Sequence, residues 1–240
     1  MSPKTGSVAI IPARGGSKRI PRKNIRPISG KPLLWWSVQT CLASGAFDDV
    51  VVSTDDEEIA GIARDSGASV PFIRPADLAG DMTATVDVIS HAVSWLVEND
   101  RAVQAACCVY PASVFLRGED YSRSRALLDR AEYVATVTRY PYPVQRALTM
   151  GLGGTLAFAH PEYAGSRTQD LDERWHDAGQ FYWGTARAWL DRLSILDNAV
   201  GYAVDGSLVC DIDTEEDWRR AEQLHRILLE QSTVQPPAVG

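Results

Sequence analysis

The chain has 240 residues, 45% apolar and 23% charged, with a net charge of −7. That length suits one α/β domain, or one domain with a modest subdomain, whose core needs no disulfide or metal staple. No charge-free apolar stretch reaches the roughly 18 residues of a membrane span, and the N-terminus lacks a charged-then-apolar leader, so neither a membrane anchor nor a secretory signal is expected.

Residues 7–12 form a short apolar, β-branched run that reads as a buried strand. A polar loop punctuated by Gly and Pro follows over residues 13–31. The first 47 residues carry eight Lys and Arg and no Asp or Glu, whereas the remainder carries 16 basic and 31 acidic side chains. One basic segment in an acidic protein argues against general nucleic-acid affinity and for a single local polyanion site. Residues 32–44 read as a helix, with Pro32 in its first turn and Gly45 as its C-terminal cap. Residues 49–54 are a second strand. Residues 55–66 are a helix with acidic groups at its N-terminus and Gly67 at its end. Residues 85–98 are an amphipathic helix with Val86, Ile89, Val93, Leu96 and Val97 on one face. A third strand over 105–110, a helix over 118–130 and a fourth strand over 133–139 complete the alternation.

The pattern breaks at Tyr140-Pro-Tyr-Pro143. Gly151-Leu-Gly-Gly154 reads as a turn between short strands. Residues 160–176 are polar and aromatic with weak periodicity, so the segment from about 140 to 185 is expected to be an insertion that covers the site or pairs with another subunit. A charged helix over 214–230 closes the domain, with Thr214 and Asp217 at capping-box spacing. Residues 231–240 are expected to be a disordered tail. Cys41, Cys107, Cys108 and Cys210 form no C-x-x-C pair and no zinc spacing, consistent with buried thiols in a reducing cytoplasm.

Strands alternating with helices give right-handed βαβ units and a doubly wound, mainly parallel sheet covered on both faces. Ligands of such sheets bind beyond the carboxyl ends of the strands, where the basic loop begins. In that loop Gly15 and Gly16 let main-chain N–H groups approach phosphate oxygens, Ser17 offers a further donor, and Arg14, Lys18 and Lys23 can neutralise a triphosphate. The P-loop pattern is absent, because Gly30-Lys31 is followed by Pro32, and no G-x-G-x-x-G follows the first strand.

The run Ala13-Arg-Gly-Gly-Ser-Lys18 followed by Lys23-Asn24 resembles the signature of the cytidylyltransferases that activate nonulosonic acids, the group containing CMP-sialic acid synthetases. The resemblance extends over about residues 7–225, through Ser53-Thr-Asp-Asp56, Arg74-Pro-Ala-Asp-Leu-Ala79 with Asp81, Thr83 and Thr85, and Asp211-Ile-Asp213-Thr. Within the group it is strongest to the pseudaminic acid branch, on Arg139-Tyr-Pro-Tyr-Pro-Val-Gln-Arg146, Arg167-Thr-Gln-Asp170 and His176-Asp-Ala-Gly-Gln-Phe-Tyr-Trp183. Tyr110-Pro-Ala-Ser-Val114 stands where sialic acid enzymes have Gln-Pro-Thr-Ser-Pro. Tyr110 argues against sialic acid, and Ala112 and Val114 depart from both groups.

The resemblance implies a nucleotide-diphospho-sugar transferase-like fold with a small β-rich insertion, working as a homodimer. It implies attack of an acidic nine-carbon sugar on CTP, giving a CMP-sugar and pyrophosphate. Arg14 and Lys23 would stabilise charge near the transferred phosphorus. The stretch from Ala13 to Lys18 would hold the phosphates, and Asn24, Arg74, Asp81, Thr83 and Thr85 would recognise the nucleoside. Asp211 and Asp213 would hold Mg²⁺, although Asp213 could equally cap the helix that begins beside it. No protein base stands out for the sugar hydroxyl; Asp211 acting through water and hydroxide on the metal are both open. Tyr110, Arg167, Gln169, His176, Asp177 and Gln180 would form the sugar site, with Arg167 gripping the carboxylate. Legionaminic, sialic and ketodeoxyoctonic acids are the alternative acceptors. A non-catalytic nucleotide-binding homologue and a glycosyltransferase are the alternatives of other classes.

Overall fold

The computed structural model describes residues 6–233. Its strands are β1 (Ser7–Pro12), β2 (Pro27–Ile28), β3 (Lys31–Pro32), β4 (Asp49–Ser53), β5 (Ala105–Val109), β6 (Tyr133–Arg139), β7 (Leu148–Met150), β8 (Leu156–Phe158), β9 (Trp175–Thr185) and β10 (Ala199–Ala203). The α-helices are α1 (Leu33–Ala43), α2 (Glu57–Asp65), α3 (Thr85–Glu98), α4 (Gly118–Arg125), α5 (Ala186–Leu190) and α6 (Glu215–Thr233). Six strands form the main sheet in the order β10-β6-β9-β5-β1-β4, with β9 antiparallel to both neighbours and the other five strands parallel to one another.

Alternation along β1 builds both cores. Ala9 and Ile11 face Leu34 and Val38 of α1, while Val8 and Ile10 face Ile89 and Val93 of α3. Because both faces are covered, the strands read as continuous apolar runs. The helices expected over 32–44, 55–66 and 85–98 and the first four expected strands fall within about two residues of their expected places. Gly45 and Gly67 take left-handed conformations just beyond α1 and α2. All four cysteines are buried free thiols. No described helix is long and apolar enough to cross a membrane.

Several expectations are corrected. Pro32 ends β3 and caps α1 instead of entering its first turn. The expected helix over 118–130 stops at Arg125 and tightens into a 3₁₀ turn. The buried stripe of α3 includes Val88 and Ala92, while Val97 is 45% exposed; periodicity orients the stripe but does not show where the sheet beneath it ends. α6 continues to Thr233, so residues 231–233 of the expected tail are helical, and the rest of it, residues 234–240, lies outside the described residues.

The largest correction is β9. The segment expected to be an insertion re-enters the main sheet at Trp175 and supplies an internal strand. Polar His176, Asp177 and Gln180 interrupt its pattern, but Phe181 and Trp183 are fully buried. The excursion is therefore residues 140–174, including the β7–β8 hairpin around Gly151 to Gly154. β10, an edge strand whose short apolar run is interrupted by Gly201 and holds no fully buried residue, also escaped the sequence reading.

Gly184 lies where β9 passes over two aromatic rings. A Cβ there would lie 2.6 Å from Tyr133 Cε1 and 2.7 Å from Trp189 Cε2. Gly184→Ala should therefore lower unfolding free energy by about 1–3 kcal/mol, the usual cost of overpacking, measured by urea denaturation. An unchanged midpoint would mean that the rings move aside freely.

Candidate active site

A cleft of about 950 Å³ opens beyond the carboxyl ends of β1 and β5, where a sheet of this kind binds ligands. Five segments wall it: the basic loop after β1, the stretch from Arg74 to Thr85, residues 110–112 after β5, the first half of β9, and the approach to α6.

The basic loop is held at its base by buried contacts. Ala13 is fully buried and donates its N–H to Ser53 O at 2.9 Å. Asn24 is buried and donates from Nδ2 to Arg14 O at 3.0 Å, tying the end of the loop to its start. The Gly15 N–H donates to Asp55 Oδ1 at 2.9 Å. A Cβ on Gly15 would sit 2.7 Å from Asp56 Oδ2, so the chain can pass here only as glycine. Ser17 N–H turns back to Gly15 O at 3.0 Å. Two amides expected to receive phosphate are thus engaged within the protein, and Gly16 is exposed. The cleft takes its positive charge from side chains: Arg14, Lys18, Arg19 and Lys23 all line it.

Each of those cations meets a carboxylate from elsewhere in the chain. Asp81 bridges Arg14 Nη1 and Lys18 Nζ, both at 2.5 Å. Hydrogen bonds from Lys18 and then Arg14 hold its carboxyl below the usual range. Asp213 meets Arg19 at 2.7 Å and Lys23 at 3.7 Å, and Lys23 Nζ donates to Ile212 O at 2.8 Å. Ile212 is fully buried, while Asp211 and Asp213 flank it on the cleft side. Desolvation by the cleft walls and the neighbouring Asp213 charge raise the Asp211 pKa, against opposition from Lys23 and Arg19. Asp213 does not cap α6. That place is taken by Thr214 and Asp217, whose side chains bond to each other and to each other's N–H groups. Among the described residues no cluster of three or more His, Cys, Asp or Glu could hold a metal. A cation at Asp211 and Asp213 would need oxygens from a ligand or water, which suits an ion that keeps several non-protein ligands.

Arg74 is 5% exposed beneath the opposite wall. Its Nη2 donates to Ser53 O at 2.6 Å and its Nη1 to Leu78 O at 3.3 Å, while Nε has no described partner. Desolvation lowers its pKa. Thr83 and Thr85 also line the cleft, and Thr85 Oγ1 shares a 2.6 Å hydrogen bond with Tyr110 OH.

A bulge aims the fourth wall. Ala135 pairs with Tyr182 and Val137 with Asp177, so one residue of β6 faces four of β9. Thr136 Oγ1 gathers the displaced chain, accepting from the N–H groups of Gln180 and Phe181. The displaced residues reach the cleft beside Tyr110. Asp177 accepts the Gly179 N–H at 2.8 Å and the Tyr182 hydroxyl at 2.5 Å. Gln180 is buried, donates Nε2 to Ala178 O, and keeps Oε1 without a described partner. His176 lies against Tyr140 in a tilted ring contact, 4.8 Å between centroids, and lines the same wall.

The structure thus gathers Arg14, Ser17, Lys18, Lys23, Asn24, Arg74, Asp81, Thr83, Thr85, Tyr110, His176, Asp177, Gln180, Asp211 and Asp213 around one cleft. It does not bring Arg167 and Gln169 there, and of the expected loop residues Ala13, Gly15 and Gly16 do not line the cleft. Arg167 is exposed on the 140–174 excursion and pairs with Asp170 at 2.7 Å, an i,i+3 contact. Sequence reasoning missed Arg19, one more cation in a basic run, and Tyr182, which looked like a core aromatic.

A family model described as cytidylyltransferase matches residues 8–145. A pseudaminic acid cytidylyltransferase of Campylobacter jejuni is 37% identical over 224 residues, covering 92% of this chain and 97% of that protein. A CMP-N,N'-diacetyllegionaminic acid synthase of Legionella pneumophila is 28% identical, covering 90% and 95%. Among solved structures, CMP:2-keto-3-deoxy-manno-octonic acid synthetase complexed with CTP superposes with a TM-score of 0.68 at 16% identity, covering 94% of this chain and 99% of that one.

The Asp81 bridge makes a measurable claim about this cleft. An incoming polyanion must compete with that carboxylate for Arg14 and Lys18. Asp81→Asn should tighten binding of inorganic triphosphate by roughly three- to tenfold at low salt, with the gain shrinking as salt screens the loop. Titration calorimetry at two ionic strengths checks this; equal affinities would show that Asp81 leaves the cations free.

Proposed function

The chain belongs to the cytidylyltransferase family, and we propose that it joins CTP to a nonulosonic acid, pseudaminic acid, releasing pyrophosphate. The observation that carries this reading is the meeting of Lys23 and Arg19 with Asp213, which places loop cations and paired carboxylates on one cleft wall although 190 residues separate them in sequence. The identity to the pseudaminic acid relative supports the choice of sugar.

In the reaction the sugar's anomeric oxygen forms a bond to the α-phosphorus. The bond to the bridging oxygen breaks, pyrophosphate leaves, and the hydroxyl proton passes to solvent or a nearby carboxylate. Such transfers depend on positioning and charge neutralisation. Arg14 and Lys18, released from Asp81, would hold the triphosphate, and Lys23 lies where charge develops. Asp211 and Asp213 would hold Mg²⁺, which when bound supplies further charge neutralisation at the phosphates. Arg74, Thr83 and Thr85 would meet the nucleoside, with Asn24 acting mainly by fixing Arg14. Beside Thr85, to which its hydroxyl is bonded, Tyr110 would meet the sugar together with His176, Asp177 and Gln180. The unpartnered Gln180 oxygen can accept a bond that the protein itself leaves unfilled.

We further propose a homodimer formed by the β7–β8 hairpin. Met150 is 74% and Leu152 100% exposed, and Leu148 and Leu156 are exposed beside them. That apolar tip invites a second copy, and pairing there would let Arg167 and Gln169 approach the partner's cleft.

Pyrophosphate release should occur with CTP, Mg²⁺ and pseudaminic acid. Release with N-acetylneuraminic acid instead would overturn the sugar assignment, and no release with any acceptor would overturn the reaction. Lys23→Ala and Asp211→Ala should each reduce turnover at least about 10²-fold, the scale of losing an electrostatic stabiliser. Near-normal rates in either would remove that residue from its role. The double variant Met150→Asp, Leu152→Asp should elute as a monomer in light-scattering chromatography, whereas an unchanged dimer would place the interface elsewhere.

A further inference from the structure

Arg22 lies outside the cleft, yet its guanidinium makes three hydrogen bonds to carboxylates. Its backbone takes a left-handed conformation, φ 56° and ψ 30°, that a side chain with a Cβ rarely adopts. The next residue is Lys23, and the Arg22 carbonyl accepts the N–H groups of Ile25 and Arg26, both at 3.0 Å. The strained residue therefore fixes the turn that carries Lys23 and Asn24.

The Arg22 side chain explains why the strained geometry persists. Its guanidinium forks onto Asp56, with Nη1 on Oδ2 and Nη2 on Oδ1, and Nη2 also donates to Glu58 Oε2 at 2.5 Å. Asp56 is itself fixed, because it caps α2 through the Ile59 N–H at 3.0 Å. The same carboxylate packs against Gly15, and the preceding Asp55 holds the Gly15 N–H. Both halves of the loop thus converge on the end of β4 and the start of α2. The hydrogen bond from Arg22 holds the Asp56 carboxyl below its usual range.

We propose that Arg22 is a positioning residue for nucleotide transfer: its forked pair with Asp56 and Glu58 fixes the backbone from which Lys23 reaches the cleft. A lysine cannot reproduce that fork. Small displacements of a group that stabilises the reacting phosphate cost rate steeply. The proposal rests on the reading of the cleft as a CTP site, and its test has an arm independent of that reading.

The informative variant is Arg22→Gly, which relieves the left-handed strain while removing the fork. Its unfolding temperature should stay at or above that of the parent. Amide hydrogen exchange at residues 23–26 in nucleotide-free protein should accelerate about tenfold, and kcat/KM for CTP should fall by about tenfold or more. Arg22→Lys should recover part of that loss at low salt and lose the recovery at high salt. Glu58→Gln should add little on the Arg22→Gly background. Parental exchange at 23–26, a normal kcat/KM in Arg22→Gly, or fully additive loss with Glu58→Gln would each overturn the proposal. If the parent protein itself released no pyrophosphate from CTP, the functional reading would fail, while the exchange measurement would still decide the role of the fork.

Discussion

Positive charges in one loop repel one another, and a loop that gathers Arg14, Lys18, Arg19, Arg22, Lys23 and Arg26 must find counter-charges or splay into solvent. In this fold each finds one. Asp81 takes two cations, Asp56 and Glu58 take Arg22, Asp213 takes Arg19 and Lys23, and Glu215 takes Arg26 at 2.6 Å. The acidic excess of the rest of the chain is thus partly arranged around this loop. Partly exposed pairs contribute little to stability, so their importance is geometric. They draw the start of α2, the Asp81 segment and the entrance to α6 toward one point, and the cleft is the space between them.

The pairs are not equivalent. Arg22 is tied to Asp56, which also caps a helix and packs on Gly15, so that contact belongs to the scaffold. Asp81 lies on an irregular segment where neighbouring Met82 is 96% exposed, and its two cations line the cleft. One set of ion pairs builds the loop and another stands where a polyanion would bind. Both sets use the same side-chain chemistry; the difference lies in whether the carboxylate has other fixed duties.

The opposite end of the cleft depends on β9. Being antiparallel, it begins where its parallel neighbours end, and it delivers His176, Asp177 and Gln180 to the carboxyl edge of the sheet. The bulge against Thr136 turns those residues toward Tyr110, while Phe181 and Trp183 anchor the strand in the core. Tyr182 joins the two roles, buried in the sheet and bonded to Asp177. A purely parallel strand would have placed the same motif at the far edge.

The alternation of strands and helices, the Thr214–Asp217 capping box, the hairpin and the cations of the loop were legible along the chain, because each depends on residues close together in sequence. The motif in the loop also identified the family. The long-range fold decided that residues 175–185 are an internal strand, that Gly15 offers its N–H to Asp55, that Asp213 turns to Arg19 and Lys23, and that Arg167 and Gln169 stand apart from this chain's cleft. Those outcomes depend on partners far away in sequence, and local periodicity carries no record of them. The cations of the basic loop were legible from its residues; its shape is set by carboxylates far along the chain, from Asp56, which pairs with Arg22, to Asp213, which pairs with Arg19.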